Sequence, residues 1–253
     1  MSASPETAAE RIYVAFDYPN IGLAQPQAVL KGLEGTGAGA KLGLEITAKR
    51  GWDEPIGEAH EYGFKVFADA KLHDIGNTEW SAARIILENE PDFLNVHATS
   101  SRAALSGLVE VRDSMKEDFS SWRQPKLLGV TVLTDVENDE AVEDYRRGRK
   151  KQVVHLADKL LDCGLDGVVC SPDELKTLAK YARFDDMVKM VPAIRPKWSV
   201  PGDQKNFTTP REAIERGATH IVVGRPITAQ FSKIGETPMD AFEAVLQEVE
   251  GAV

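Results

Sequence analysis

The sequence predicts a single-domain α/β protein, a (β/α)8 TIM barrel over residues 11–253 preceded by a flexible N-terminus, residues 1–10. Three observations carry this. Eight short runs of β-branched and other apolar residues recur along the chain, and segments with helical apolar spacing lie between them, always strand then helix. Repeated βα units require parallel strands joined by right-handed crossovers, and eight of them match a closed barrel better than an open doubly wound sheet. The length, 253 residues, suits one such barrel, and no composition shift or Pro/Ser-rich linker marks a second domain.

Each element has its own signal. Residues 12–16 form the first apolar run, which ends at Asp17. The glycine-rich Gly35-Thr-Gly-Ala-Gly-Ala-Lys41 lacks the GxxxxGK[ST] spacing and precedes no convincing helix, so it reads as a helix end and turn before the second run, 38–44. Residues 65–68 lead into a dense charge cluster, with a helix at 82–87. The fourth run, 93–97, is followed by a helix at 104–111, and the fifth, 127–133, by the charged stretch 134–151 and a helix at 153–161. Residues 167–170 precede a helix at 175–181. Residues 188–191 precede the polar stretch 195–210 and a helix at 213–216, and 220–223 run into Gly-Arg-Pro before a last helix at 239–249. Loops after barrel strands build the functional face, so the two long stretches are lid candidates. The basic run 146–151 reads as a solvated helix start rather than a targeting or nucleic-acid patch.

Composition narrows the function. An apolar fraction of 42% excludes disorder, and 30 basic against 40 acidic residues give a net charge of -10. That balance repels polyphosphates, so nucleic acid and anionic membrane are poor partners, and an anionic ligand must be small and met by local positive charge. Cys163 and Cys170, seven apart, match neither a CxxC pair nor zinc-ligand spacing and read as reduced packing residues of a cytoplasmic protein. The first ten residues lack a basic-then-apolar signal pattern, and no apolar run approaches the roughly 18 residues of a membrane helix. Four scattered tryptophans suggest no base-stacking platform. Packing is the better reading of the five histidines, although His97, near a strand end, is a conceivable partner of carboxylates at a metal site.

The most informative stretch is Phe67-Ala-Asp-Ala-Lys-Leu-His-Asp-Ile-Gly-Asn-Thr78. Asp69 and Lys71 are two apart, so on a strand both side chains leave one face, which at the C-terminal end of a barrel strand is the barrel mouth. Asp74 follows in the same loop. Alone, such a pair is more readily a surface salt bridge; Asp17 at the end of the first run and Lys41 in the second bring two further charges to the same mouth. A lysine flanked by carboxylates is held charged, as a proton donor. The second informative stretch, Ile221-Val-Val-Gly-Arg-Pro-Ile-Thr228, runs from a buried strand into a proline suited to a first helical turn. In barrels this position commonly holds phosphate: Gly224 permits close backbone approach and the Arg225 fork fits phosphate oxygens.

Asp69-Ala-Lys-Leu-His-Asp-Ile-Gly-Asn-Thr78 resembles the DxKxxDIxNT signature of the orotidine 5'-phosphate decarboxylase family. The likeness extends to Val14-Ala-Phe-Asp17, Lys41-Leu-Gly43, Val130-Thr-Val-Leu-Thr134, Gly164-Leu-Asp-Gly-Val-Val-Cys-Ser-Pro172, Pro192-Ala-Ile-Arg-Pro196, Gly202-Asp-Gln204 and Val223-Gly-Arg225. The resemblance implies loss of carbon dioxide from orotidine 5'-phosphate to give UMP, with no metal or organic cofactor. It further implies that Lys71 protonates C6 beside Asp69, that Lys41 and Asp17 hold the ribose, and that Thr131 faces the pyrimidine. Gln204, Gly224 and Arg225 are implied for the phosphate, with Pro192 and Arg195 at the substrate and the 195–208 loop closing over it. Asp74, Ile75 and Thr78 are implied to reach the neighbouring subunit's site, in a homodimer with shared sites. Two positions depart from the pattern. Gly76 stands where proline is usual and should loosen the turn presenting Asp74; Ala193 stands where glycine is usual, so its φ must be negative or mildly strained.

The nearest rivals are related sugar-phosphate barrel enzymes that use a metal, a keto-acid phosphate decarboxylase or a pentose-phosphate epimerase; a non-catalytic UMP-binding protein is a rival of another class. The Asp-Ile-x-Asn-Thr run and Asp203-Gln204 favour the nucleotide substrate.

Overall fold

The computed structural model describes residues 7–17, 24–118, 124–200 and 207–252. In chain order these form β1 (Ile12–Ala15), α1 (Ala24–Gly32), β2 (Gly39–Leu42), α2 (Leu44–Arg50), α3 (Asp53–Glu61), β3 (Lys65–Leu72), α4 (Gly76–Leu87), β4 (Phe93–His97), α5 (Arg102–Asp118) and β5 (Lys126–Val130). They continue as α6 (Asn138–Tyr145), α7 (Arg149–Asp162), β6 (Gly167–Val169), α8 (Pro172–Leu178), β7 (Val188–Val191), α9 (Pro210–Glu215), β8 (His220–Val223), α10 (Arg225–Thr228) and α11 (Pro238–Glu250). The eight strands are all parallel and close in sequence order, β1 pairing with β8, as the sequence predicts.

Side-chain alternation divides the interior into two layers. Outward residues such as Ile12, Val66, Leu94 and Ile221 join the helices in the main core. Inward residues Tyr13, Phe67, Phe93, Leu128, Val188, Met190 and Val222 form a separate cluster that plugs the barrel, with the Tyr13 and Phe93 rings edge to face at 5.6 Å. Gly39 makes room for this plug: a Cβ there would lie 2.2 Å from the Tyr13 ring. Two residues further along β2, β3 and β4, the same inward face carries Lys41, Asp69 and Asn95, so on this side polar chemistry sits directly above an apolar floor.

His220 lies beneath that floor, ring to ring with Tyr13 and Phe93. Burial is the main reason its pKa is pushed down to about 3. The folded state therefore excludes a proton that the unfolded chain binds below about pH 6.5, and stability falls as pH drops from there toward 3. Replacing His220 with Leu is expected to shrink the stability lost between about pH 7 and pH 5 by about 2 kcal/mol, read by urea unfolding at both values. An unchanged loss would refute the assignment.

Ahead of β1, Ala9–Arg11 form a 3-10 turn, Glu10 pairs with Lys65 at 2.6 Å, and Ala8 and Ala9 pack on the core. Several sequence expectations need correction. Helices α1, α2, α3, α6 and α10 were not legible as periodic segments. The stretch 134–151 is not one loop but contains α6 and the start of α7. The basic run does begin a helix, yet its Arg149 is buried rather than solvated: it pairs with buried Glu174 at 2.5 Å and donates to the Val136 carbonyl. A buried guanidinium needs such partners, and these tie the segment after β5 to α8.

Candidate active site

A cavity of about 700 Å³ opens at the C-terminal ends of the strands. Its charged wall comes from three adjacent strands. Asp17 follows β1, Lys41 lies on β2, and Asp69 and Lys71 lie on β3; all four line the cavity. Lys41 Nζ donates to Asp17 and lies 3.3 Å from Asp69 Oδ2, while Lys71 Nζ donates to Asp69 Oδ1 at 2.6 Å. The four side chains thus form one chain of alternating charge.

The electrostatics keep it charged. Burial opposes ionisation of Asp69, but the Lys41 and Lys71 ammonium groups and hydrogen bonds from Lys71 and Asn95 outweigh it and hold the carboxyl below its ordinary pKa. Burial likewise opposes a charged Lys41, yet Asp69 and Asp17 raise its pKa. Gly43 is part of this construction, since a Cβ there would sit 2.2 Å from Asp17 Oδ1 and 2.9 Å from Lys41 Nζ.

Lys71 reaches the mouth by an unexpected route. Between the pairs Ala68–Leu94 and Leu72–Val96, β3 advances four residues while β4 advances two, a bulge, and Lys71 within it has φ 48°. The Asp69-x-Lys71 spacing therefore predicts the right meeting for an incomplete reason: simple alternation does not describe the backbone at Lys71. Asn95 and the buried Glu79, neither anticipated from the sequence, hold this region. Asn95 bonds both to the Lys71 N–H and to Asp69, and Glu79 Oε1 accepts from the Asp74 N–H at 2.8 Å and from Ser100 Oγ at 2.6 Å. Glu79 thus ties the segment just before Gly76 to α4 through the Asp74 N–H. A Cβ at Gly76 would lie 2.9 Å from the Trp80 ring, which occupies the space a proline ring would need. The available signal for Asn95 was a lone amide in the apolar strand Phe93-Leu-Asn-Val-His97.

The lining continues past β1 onto its neighbour β8 and onto β7, with Gly224 and Arg225 after β8 and Pro192 and Arg195 after β7. Ala193 has φ 65°, the strained alternative of the two foreseen for it. The Arg195 N–H donates to the Thr208 carbonyl at 2.9 Å, closing the base of the 195–208 loop. Gln204 lies outside the described residues. Thr131 requires correction: it does not line the cavity, and its hydroxyl donates to the Val169 carbonyl at 3.0 Å. Alternation explains this, because inward Leu128 places Val130 and Val132 on the cavity face and turns Thr131 away.

Asp74, Ile75 and Thr78 are exposed and absent from this cavity, with Ile75 73% accessible. The His97 and His73 rings lie tilted against each other with centroids 5.2 Å apart, and among the described residues no cluster of His, Cys, Asp and Glu is arranged to hold a metal. No helix among them is long and apolar enough to cross a membrane.

Comparison with known proteins accords with this geometry. The model of the orotidine 5'-phosphate decarboxylase / HUMPS family matches residues 10–234. The chain is similar to the orotidine 5'-phosphate decarboxylase of Rhodospirillum rubrum, 36% identical over 86% of this chain and 87% of that one. It is also similar to that of Streptococcus mutans, 37% identical over 83% and 86%. Among solved structures it resembles orotidine 5'-phosphate decarboxylase from Lactobacillus acidophilus, with TM-score 0.77, 31% identity, and coverage of 94% of this chain and 98% of that one. An uncharacterised conserved protein from Geobacillus kaustophilus matches with TM-score 0.78 and 27% identity, covering 94% and 99%.

Proposed function

The chain belongs to the orotidine 5'-phosphate decarboxylase / HUMPS family, and on that premise we propose that it is a carboxy-lyase that converts orotidine 5'-phosphate to UMP, the last step of de novo pyrimidine nucleotide synthesis, in the cytoplasm and without a cofactor. The observation that carries the reading is the alternating Asp17–Lys41–Asp69–Lys71 array on one wall of a cavity of nucleotide size.

In this reading Asp17 and Lys41 hold the ribose hydroxyls. Gly224, Arg225 and Gln204 hold the phosphate, with Arg195 at the base of the closing loop and Pro192 in the wall beside it. The phosphate and the ribose hydroxyls take no part in the bond that breaks, so their binding energy orients the reacting carboxylate and drives loop closure. The substrate carboxylate sits beside Asp69. The C6–carboxylate bond breaks, carbon dioxide leaves, and the electron pair remaining at C6 takes a proton from the Lys71 ammonium, which water later restores. A fixed ammonium beside the carbon that gains negative charge costs no reorganisation during the step. Asp74, Ile75 and Thr78, exposed and outside their own chain's cavity, serve the site of a second copy in a homodimer.

The test is the ultraviolet absorbance of orotidine 5'-phosphate mixed with purified protein in excess chelator, with UMP identified as product. Conversion supports the reading, whereas tight UMP binding without turnover favours a regulatory protein and turnover lost to chelation favours a metal-dependent relative. Arg225→Ala is expected to remove a charge-assisted phosphate contact of roughly 1.5–3 kcal/mol, lowering kcat/KM about 10- to 150-fold. An equal effect on orotidine lacking the phosphate would contradict that role.

A further inference from the structure

We propose that Asn95 is a positioning residue for the reaction: its side-chain amide is the template that fixes the β3 bulge and thereby sets the Lys71 ammonium and the Asp69 carboxylate in register with each other. The proposal rests on the decarboxylase reading above and adds to it a residue that does not line the cavity.

Asn95 lies on β4 two residues after Phe93 and shares its inward face, one layer above the apolar floor. It is fully buried. An amide there must find partners within the barrel, and both come from the bulge. Asn95 Oδ1 accepts the Lys71 backbone N–H at 2.7 Å, and Asn95 Nδ2 donates to Asp69 Oδ1 at 2.7 Å. Only this orientation of the amide is chemically consistent, since the reverse would set donor against donor and oxygen against carboxylate.

The backbone contact falls where it matters. Lys71 has φ 48°, a conformation that a side chain with a Cβ adopts at a cost and keeps only when its surroundings over-determine it. Asn95 bonds that very N–H. Its other end bonds the carboxylate oxygen that also receives Lys71 Nζ, so one rigid amide spans the backbone of the proton donor and the anion beside it. No other residue type offers a donor and an acceptor at this spacing on so short a side chain, apart from a protonated aspartate.

Two variants test this. Asn95→Leu removes both bonds while keeping the branching of the side chain, and a small displacement of the proton donor is expected to lower kcat about 10- to 100-fold while KM stays within about threefold, because ribose and phosphate are held elsewhere. Asn95→Asp keeps the shape, but its ionised carboxyl faces Asp69; only once protonated does it reproduce the amide's donor and acceptor. Its kcat is therefore expected to recover relative to the unsubstituted chain as pH falls from about 8 to about 6, a dependence that loss of packing alone would not produce. A kcat for Asn95→Leu within about threefold of the unsubstituted chain overturns the proposal. So does an Asn95→Asp pH profile parallel to the unsubstituted one, or failure of both variants to fold, which would make Asn95 structural. A readout independent of turnover is the Asp69 titration followed by carbon NMR in the unliganded protein: Asn95→Leu should move it upward, and no movement overturns the proposal. If the unsubstituted chain turns nothing over, the decarboxylase reading fails, and this titration still decides whether Asn95 sets the state of Asp69.

Discussion

Lys71→Ala is expected to lower kcat by at least about 10⁴-fold, since it removes a proton donor, commonly responsible for 10²–10⁴, together with a fixed charge beside the developing carbanion, commonly 10²–10³. The fold should survive. Asp69 loses one of its partners but keeps Lys41 at 3.3 Å and the Asn95 amide at 2.7 Å, so no uncompensated charge is left in the barrel. The Lys71 side chain is 30% exposed, and its removal opens no closed cavity in the core. UMP should still bind, because the groups assigned to ribose and phosphate lie elsewhere on the cavity wall. The measurement is single-turnover conversion of orotidine 5'-phosphate at high enzyme concentration, beside thermal unfolding and UMP titration. A residual kcat within about 100-fold of the unsubstituted enzyme would sink the assignment, because either contribution alone should exceed that.

How much of this was legible in the sequence differs by kind of signal. The barrel was, because its parallel strands are buried on both faces and stand out as short apolar runs; β4, β7 and β8 match their expected limits. The helices were only partly legible: α8 and α9, with seven and six residues, stood out by apolar spacing, whereas α2, α6 and α10, with seven, eight and four, did not. Asp17, Lys41, Asp69 and Lys71 were legible because a charge in or just after an apolar strand must be paired or solvated, and the mouth of a barrel is where such a strand can supply both. Asn95 and Glu79 were not, because a buried polar residue is identified by partners that are distant in sequence: Asn95 meets Asp69 from 26 positions away and Glu79 meets Ser100 from 21. Thr131 shows the opposite failure. Its role came from resemblance alone, and counting alternate residues from Leu128 would have turned it away from the mouth. Ala193 and Gly76 were noticed as departures, but only the structure supplies the φ of 65° at one and the Trp80 ring beside the other.

Mixing two inactive variants, Lys71→Ala and Asp74→Ala, is expected to restore activity. At the end of β3, Lys71 enters the cavity of its own chain, whereas Asp74, three residues on, does not line it. Asp74 is not simply loose, for its backbone N–H is held by Glu79 and its carboxyl accepts the Ile75 N–H at 2.6 Å, so a firm turn presents it outward beside an exposed isoleucine. A presented polar and apolar pair outside its own site is what an isologous two-fold interface with shared sites would use. If each site takes Lys71 from one chain and Asp74 from the other, either substitution disables both sites of its homodimer. In the heterodimer both defects fall in one site and the other is complete. Random reassortment makes half the dimers heterodimers with one working site of two, so activity should return to about a quarter of the unsubstituted level per site. The measurement is decarboxylation after mixing under conditions that exchange subunits, with heterodimers quantified through a tag on one variant. Verified heterodimers that remain inactive would mean that each site is built from a single chain and that Asp74 acts within its own subunit. Recovery that scales with heterodimer content would place Asp74 across the interface and make the dimer, not the monomer, the smallest active unit.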